Sequence, residues 1–339
     1  MRRPRASSAL GALVSVVSLG AVAWWISKQD APRLPDTAEG FAWLALAIAV
    51  SACTLTLRGW RWHRVLRYAA IRHRLRDAFG LTLVAYMGNN VLPARGGELL
   101  KIGLLAPRTT ARRREILGTV LVERLLDAAA LAAMFALLTW AGVKGSASGW
   151  ATATVAAAVL CAAAVGLAVY LRLRRGGRFE RFAALIRPVA RASKLFAHRE
   201  GARLGVLSAL IWCMEGATFL LIARSIDFEL ALPEAIAVVV LASLAAAIPA
   251  APGYVGTFDA ALLVGLHAAG VAGGQAVGVL LLSRFVFFVP VTVVGLGTLV
   301  LGYGGRLTRS PADDEELLAE QPPREREPEV ASGQPGTGR

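Results

Sequence analysis

The sequence predicts an all-α polytopic membrane protein with about six full transmembrane helices and two broken, re-entrant helical hairpins arranged as an inverted repeat. Three observations predict it. Mean hydropathy is +0.55 over 339 residues, and apolar runs near the roughly 20 residues that a bilayer requires recur along the chain. Lysine and arginine gather in alternate links between those runs, as they do in cytoplasmic loops. Two further runs, 79–106 and 233–272, are interrupted at their middles by proline, glycine and polar residues.

The first run, Ala9 to Ile26, follows the basic opening MRRPRASS. Ala21-Val22-Ala23 loosely fits a signal-peptide cleavage site, but the run is long enough to span and further spans follow, which favours a retained helix at 9–27. The other full spans fall at 41–57, 116–142, 150–171, 205–223 and 276–303. Basic clusters at Arg2, Arg3 and Arg5, from Arg58 to Arg76, from Arg108 to Arg114 and from Arg172 to Arg203 assign those stretches to the cytoplasmic face. Both termini fall on that face of a cell (inner) membrane, and links 28–40, 143–149 and 224–232 fall outside. Trp24, Trp25, Trp43, Trp140 and Trp150 lie near the outer boundary, and Trp60 and Trp62 near the inner one, as an aromatic belt does.

Region 79–106 starts and ends at basic loops, so it enters from the cytoplasm and returns there. Its polar middle is GNNVLPARGGE, and the arm after it, about Glu98 to Ala106, is too short to cross. Region 233–272 starts and ends outside and breaks at IPAAPGYVGTFDA. Re-entry and a pair of full spans give that second region the same sidedness. Laid side by side, the halves 9–142 and 150–303 repeat span, span, broken hairpin, span in opposite orientations. Gly96 precedes Arg124 by 28 residues and Gly256 precedes Arg284 by 28, which supports the register. Paired discontinuous segments in inverted halves point to a transport site near the midplane. Residues 178–196 read as an amphipathic helix in the headgroup layer, and residues 305–339, rich in Pro, Gly, Glu and Arg, as a disordered cytoplasmic tail.

The net charge of +14 sits mainly in loops and suits an anionic leaflet better than nucleic acid. Cys53, Cys161 and Cys213 are isolated, and His63, His73, His198 and His267 are scattered, so neither a disulfide framework nor a metal centre is expected, and no bound cofactor. The chemistry lies instead in charges inside or beside apolar runs: Arg95, Glu98, Lys101, Glu123, Arg124, Asp127, Glu215, Asp259 and Arg284. Each costs about 2.5–3.5 kcal/mol at a helix centre, so each must face protein, water or another charge.

After Pro93, Arg95, Glu98 and Lys101 fall at helical intervals of three, which lets the glutamate pair with either cation. Arg124 and Asp127 are three apart, and Glu123 and Asp127 four apart. A polar chamber where the hairpin tips meet is the functional reading, with the cations as phosphate ligands and helix starts after Pro93 and near Thr257 adding amide donors. Internal pairing that fastens hairpins to spans is the alternative for any one residue. Pro93, Gly96, Gly97, Pro249, Pro252, Gly253 and Gly256 would shape the broken backbone, and Asn89 and Asn90 could cap freed backbone groups. Glu215 is a weaker candidate, a proton relay.

NNVLPARGGELLK followed by VERLLD, then IPAAPGYVGTFDAALLVGLHAAGV followed by LSRF, resembles the flippase-like transmembrane domain of the lysylphosphatidylglycerol synthase family, and the blocks stand in the family's order. Lys101 stands where many members have arginine, and Asp259 where many have glutamate. The resemblance implies a membrane domain that moves an aminoacylated or other anionic-headgroup lipid between leaflets. In the synthases a soluble aminoacyl-transferase domain follows. The short tail here cannot fold one, so the chain is expected not to be an enzyme. The expected function is transport of an aminoacylated or polyprenyl-phosphate-linked lipid, its headgroup phosphate held by Arg95, Arg124 and Arg284 and balanced by Glu98, Asp127 and Asp259. An anionic lipid is the expected partner, with a second copy or a separate lipid-modifying enzyme beside it. A secondary transporter of a small anionic solute and a membrane-embedded transferase using a lipid-phosphate donor are the alternatives.

Overall fold

The structure is a computed structural model that describes residues 30–92, 96–143, 199–246 and 252–307, together with Gly20, Trp24, Ser27 and Lys28. Among the described residues there are eight α-helices and no strand: α1 Ala38–Tyr68, α2 Leu75–Val91, α3 Gly96–Leu105, α4 Arg113–Trp140, α5 Arg199–Arg224, α6 Leu232–Ala245, α7 Thr257–Ala268 and α8 Gly273–Leu307. Short 3-10 turns at Ala106–Arg108 and Pro252–Tyr254 complete it. Three helices, Ala38–Tyr68, Arg199–Arg224 and Gly273–Gly304, are long and apolar enough to cross a membrane. Their outer faces carry large apolar side chains such as Val206, Val293, Val300 and Leu301, the last 90% exposed. That surface suits hydrocarbon. The predicted spans 150–171 and most of 9–27, the helix at 178–196, Pro93, Arg95, Pro249 and residues 308–339 of the tail lie outside the described residues.

Helix starts follow local chemistry. The Thr37 hydroxyl accepts the Gly40 amide at 3.0 Å and opens α1. In α4 and α6 the first-turn glutamates Glu115 and Glu234 accept the amides of Arg112 (2.9 Å) and Ala231 (3.1 Å). One expectation fails at the end of α1: the stretch after Arg58, which the basic cluster predicts to be a loop, is helical to Tyr68. Arg58, Arg61, Trp62, Val65 and Leu66 fall on one helix stripe, and all five are buried, so tertiary packing keeps the helix going. Trp62 is therefore a core residue, fully buried, whereas Trp60 stays exposed.

Contacts gather the links at two ends of the bundle. At one end the Arg33 amide donates to Gly274 O at 3.1 Å, and Gly40 packs on Ser225 O. At the other, Arg64 pairs with Glu200, and Arg108 bridges Asp77 at 2.8 Å and Gly302 O at 3.1 Å. The basic links share this second end. Because Asp77 opens α2 and Arg108 follows α3, the α2–α3 hairpin leaves and returns at the basic end. The α6–α7 hairpin follows α5 after a seven-residue link and finishes just before α8, at the opposite end. The tips meet. A Cβ built on Gly253 would lie 3.5 Å from Asn90 O.

Two apolar cores flank that meeting point. One is built by α5–α8 around Phe219, Ile222, Val239, Leu262 and Val279, and the other by α1–α4 around Trp62, Leu81, Leu105 and Ile116. Glycine sets how closely the first hairpin closes: a Cβ on Gly97 would sit 1.9 Å from Ala85 O, and one on Gly88 2.6 Å from the Gly97 Cα. Gly97→Ala is expected to destabilise at the upper end of the about 1–3 kcal/mol typical of overpacking, seen as a clear fall in thermal midpoint in detergent. Gly103→Ala, on the same helix with nothing within 4 Å, should leave the midpoint unchanged or raised.

Candidate functional site

A cavity of about 400 Å³ opens beside the two hairpin tips. Arg58 from α1, Arg124 and Asp127 from α4, Glu215 from α5 and Arg284 from α8 line it. Three guanidinium groups against two carboxylates leave the wall one net positive charge among the described residues. Most of the rest of the wall is aromatic and aliphatic, including Tyr86, Trp212, Phe219, Phe258, Phe287 and Phe288, with Asn90 and three serines among them.

Helical spacing aims the charges. Glu123 and Asp127, four apart on α4, both face Arg61 of α1: Arg61 Nη1 donates to Asp127 Oδ1 at 2.7 Å, and Nη2 lies 3.9 Å from Glu123 Oε1. Arg61 Nη1 also donates to the Ser208 hydroxyl of α5 at 2.8 Å. One turn earlier, Arg58 Nη2 donates to Glu215 Oε1 at 2.9 Å, and Nη1 stands 3.8 Å from Asp127 Oδ1. The Arg58 guanidinium lies over Trp212 at 4.9 Å and Tyr86 at 5.5 Å from the ring centroids. Behind this layer, Lys101 Nζ donates to Glu123 Oε2 at 2.9 Å and rests 3.6 Å above the Trp62 ring, whose indole N–H donates to Thr119 Oγ1 at 3.1 Å.

Arg124 stays more open than the other arginines of the wall. Its Nε stands 2.9 Å from Glu98 Oε1 and its Nη1 3.4 Å from Asp127 Oδ2, yet 35% of its side chain remains exposed, against 5% for Arg58 and 20% for Arg284. Across the cavity, Arg284 Nε donates to Asp259 Oδ1 and Nη1 to Gly253 O, both at 2.7 Å. Phe258 and Phe288 lie 5.2 and 4.6 Å from its guanidinium carbon. Gly253 has φ of 68° and Gly256 of 95°, so the turn that presents this carbonyl uses the left-handed region that glycine tolerates. Asp259 Oδ2 accepts the Gly256 amide at 2.9 Å and fixes the start of α7.

The structure brings Arg124, Asp127 and Arg284 to one cavity, with Glu215. Glu98, Lys101, Glu123 and Asp259 stand behind the wall as partners of its cations or of one another. Glu98 pairs with Arg124 rather than with the neighbouring Lys101, because Lys101 turns inward to Glu123 under Trp62. Asn90 lines the cavity, and its amide donates to Thr292 Oγ1 at 3.2 Å instead of capping backbone. Asn89 is buried, and its Oδ1 has no partner among the described residues. Gly96 and Gly97 open α3, Pro252 and Gly253 form the 3-10 turn, and Gly256 precedes the first residue of α7, Thr257. Arg58 and Arg61 are the residues that sequence reasoning missed. Their spacing on the stripe shared with Trp62 and Val65 was the available signal.

The chain matches the family described as the lysylphosphatidylglycerol synthase TM region over residues 8–295. A UPF0104 membrane protein of Methanothermobacter thermautotrophicus is 25% identical over 326 residues, covering 86% of this chain and 91% of that protein. The glycosyltransferase AglD of Haloferax volcanii is 24% identical over 345 residues, covering 87% of this chain and 54% of its own length, so the chain spans about half of that relative. This last similarity corrects one expectation. The chain is expected from its sequence not to be an enzyme, but a relative that matches 87% of it, over 54% of that relative's own length, is named a glycosyltransferase.

Removing one partner from the buried network leaves the others short of compensating charge. Arg61→Leu should cost about 3–5 kcal/mol, because Asp127 and Glu123 lose their shared cation. The double variant Arg61→Leu/Asp127→Asn should recover part of that loss in a chemical or thermal unfolding series. Additive losses would show that the pair is not coupled.

Proposed function

The chain belongs to the lysylphosphatidylglycerol synthase transmembrane family, and on that premise we propose that it takes the anionic headgroup of a membrane lipid into the cavity and moves that lipid between leaflets. One observation carries this reading: Arg58, Arg124 and Arg284 line a single largely apolar cavity beside the two hairpin tips. Its volume is within the range of small-molecule sites, and arginine matches phosphate oxygens with a planar fork. Arg124 is the first ligand in this account, since it is the most exposed of the three. The Trp212 indole N–H, buried with no partner among the described residues, offers a further donor on the same wall.

In this reading the α2–α3 and α6–α7 hairpins re-enter the bilayer from opposite faces and belong to two inverted halves, with the basic end cytoplasmic. Arg95, five residues after Asn90 in the sequence, is in this reading a further cation for the headgroup. Glu98, Asp127 and Asp259 hold Arg124 and Arg284 in place and keep the unloaded site near neutrality, so an incoming phosphate exchanges its water for groups already aimed at it. The aromatic and aliphatic wall takes the first part of the lipid's apolar body.

A second reading is transfer chemistry on the same lipid-linked headgroup. It is favoured by the similarity to a protein named a glycosyltransferase, and by Asp127 and Glu215 standing on the same wall. Both carboxylates are engaged by arginines, so one must be released by the incoming phosphate before it can accept a proton. The lipid substrate and its binding arginines are common to both readings.

Lipids that copurify with the protein, identified by mass spectrometry, name the substrate candidates, and proteoliposomes carrying them report both exchange and conversion. Arg124→Ala removes charged hydrogen bonds worth about 1.5–3 kcal/mol each, so leaflet exchange should fall at least about tenfold while insertion is unchanged. Exchange at the original rate removes Arg124 from the site. A new lipid product, lost in the same variant, supports the transfer reading over simple exchange.

A further inference from the structure

A second cavity, of about 470 Å³, opens at the basic end of the bundle, between the α1–α2 link and the 3-10 turn after α3. It shares no lining residue with the first. Arg72, His73, Arg74, Asp77, Pro107 and Arg108 form its wall, so three guanidinium groups meet one carboxylate. That carboxylate is already satisfied: Asp77 Oδ1 accepts from Arg108 Nη1 at 2.8 Å and from the Tyr303 hydroxyl at 3.2 Å.

The other cations are free of such partners. Arg72 and Arg74 are exposed and make no ion pair among the described residues. Arg108 is fixed by Asp77, by Gly302 O and by the Tyr303 ring 4.4 Å away, while its buried Nε lacks a partner among the described residues. Arg74 is also the residue before α2 and makes no side-chain cap, so the positive end of that helix faces the same opening. His73 has both ring nitrogens engaged, at 2.8 Å to Ile71 O and 2.8 Å to His63, and so serves as a rigid wall. Two unbalanced positive charges and a fixed guanidinium suit a compact group with several anionic oxygens.

We propose that this cavity binds a phosphate group, and that its source is an anionic lipid headgroup or free phosphate. Exposed Trp60, Tyr68 and Leu75 on the neighbouring end of α1 and start of α2 place an aromatic and apolar rim beside it, as at headgroup depth. The site stands apart from the proposed transport cavity and does not depend on that reading.

The full chain in a neutral detergent can be titrated calorimetrically with dihexanoyl phosphatidate, dihexanoyl phosphatidylcholine and inorganic phosphate. Phosphatidate should bind, and Arg72→Gln/Arg74→Gln should weaken it at least tenfold, with part of the affinity restored in Arg72→Lys/Arg74→Lys. Both arginines are exposed and unpaired, so these variants should keep the wild-type thermal midpoint. Phosphatidate binding tenfold tighter than inorganic phosphate identifies a headgroup as the source; equal binding identifies free phosphate. The same component should persist in Arg124→Ala. Unchanged affinity in the glutamine double variant, or loss of the component in Arg124→Ala, overturns the proposal.

Discussion

Burying charge is the constraint on which the rest of this structure depends. Arg58, Arg61 and Lys101 are all at least nine-tenths buried, and so are Glu123, Asp127 and Asp259. None could remain ionised alone in such surroundings without a cost that a marginally stable fold cannot carry. The solution is alternation. From Glu215 through Arg58, Asp127, Arg61 and Glu123 to Lys101, each charge is bounded by the opposite sign, and the chain of contacts crosses from α5 to α1, α4 and α3. The same groups therefore fasten four helices together and create the polar wall of a cavity.

Backbone geometry supplies the other half. An α-helix cannot end inside an apolar bundle without leaving carbonyl and amide groups unpaired. Here the breaks sit where two hairpins from opposite ends meet, and their exposed groups are used: Gly253 O accepts from Arg284, and the Gly256 amide is taken by Asp259. Gly97 lets α3 lie against α2 closely enough to carry Lys101 under Trp62 and Glu98 to Arg124. Position along the hairpin and position at the cavity are thus coupled, and a shift of either tip would move a guanidinium group. That coupling is what a transporter or a transferase acting on a lipid headgroup could exploit.

Much of this was legible in the sequence because it is written in local signals. Proline, glycine and asparagine interrupting apolar runs marked both breaks, and the helices flanking them begin at Gly96 and Thr257. Arg124 and Asp127 were found because their spacing of three is itself a contact. What escaped depends on distance along the chain. Arg58 and Arg61 look like the usual basic flank of a span, and only partners 66 and 157 residues away, Asp127 and Glu215, show them to be internal. For Lys101 the near glutamate, Glu98, was a reasonable partner, but burial under Trp62 favours Glu123. The expectation that the chain is not an enzyme is overturned by its similarity to a protein named a glycosyltransferase. The all-helical membrane class followed from composition, whereas the site needed three dimensions.

The central claim is that an anionic headgroup enters the cavity between the two hairpin tips. A photoreactive analogue of a copurifying phospholipid, activated in proteoliposomes and mapped by peptide mass spectrometry, tests it most directly. The account predicts cross-links to cavity residues such as Leu131, Leu244 and Phe288, suppressed by excess unlabelled lipid. Labelling confined to outward-facing positions such as Val293 and Leu301, and insensitive to competitor, would contradict it.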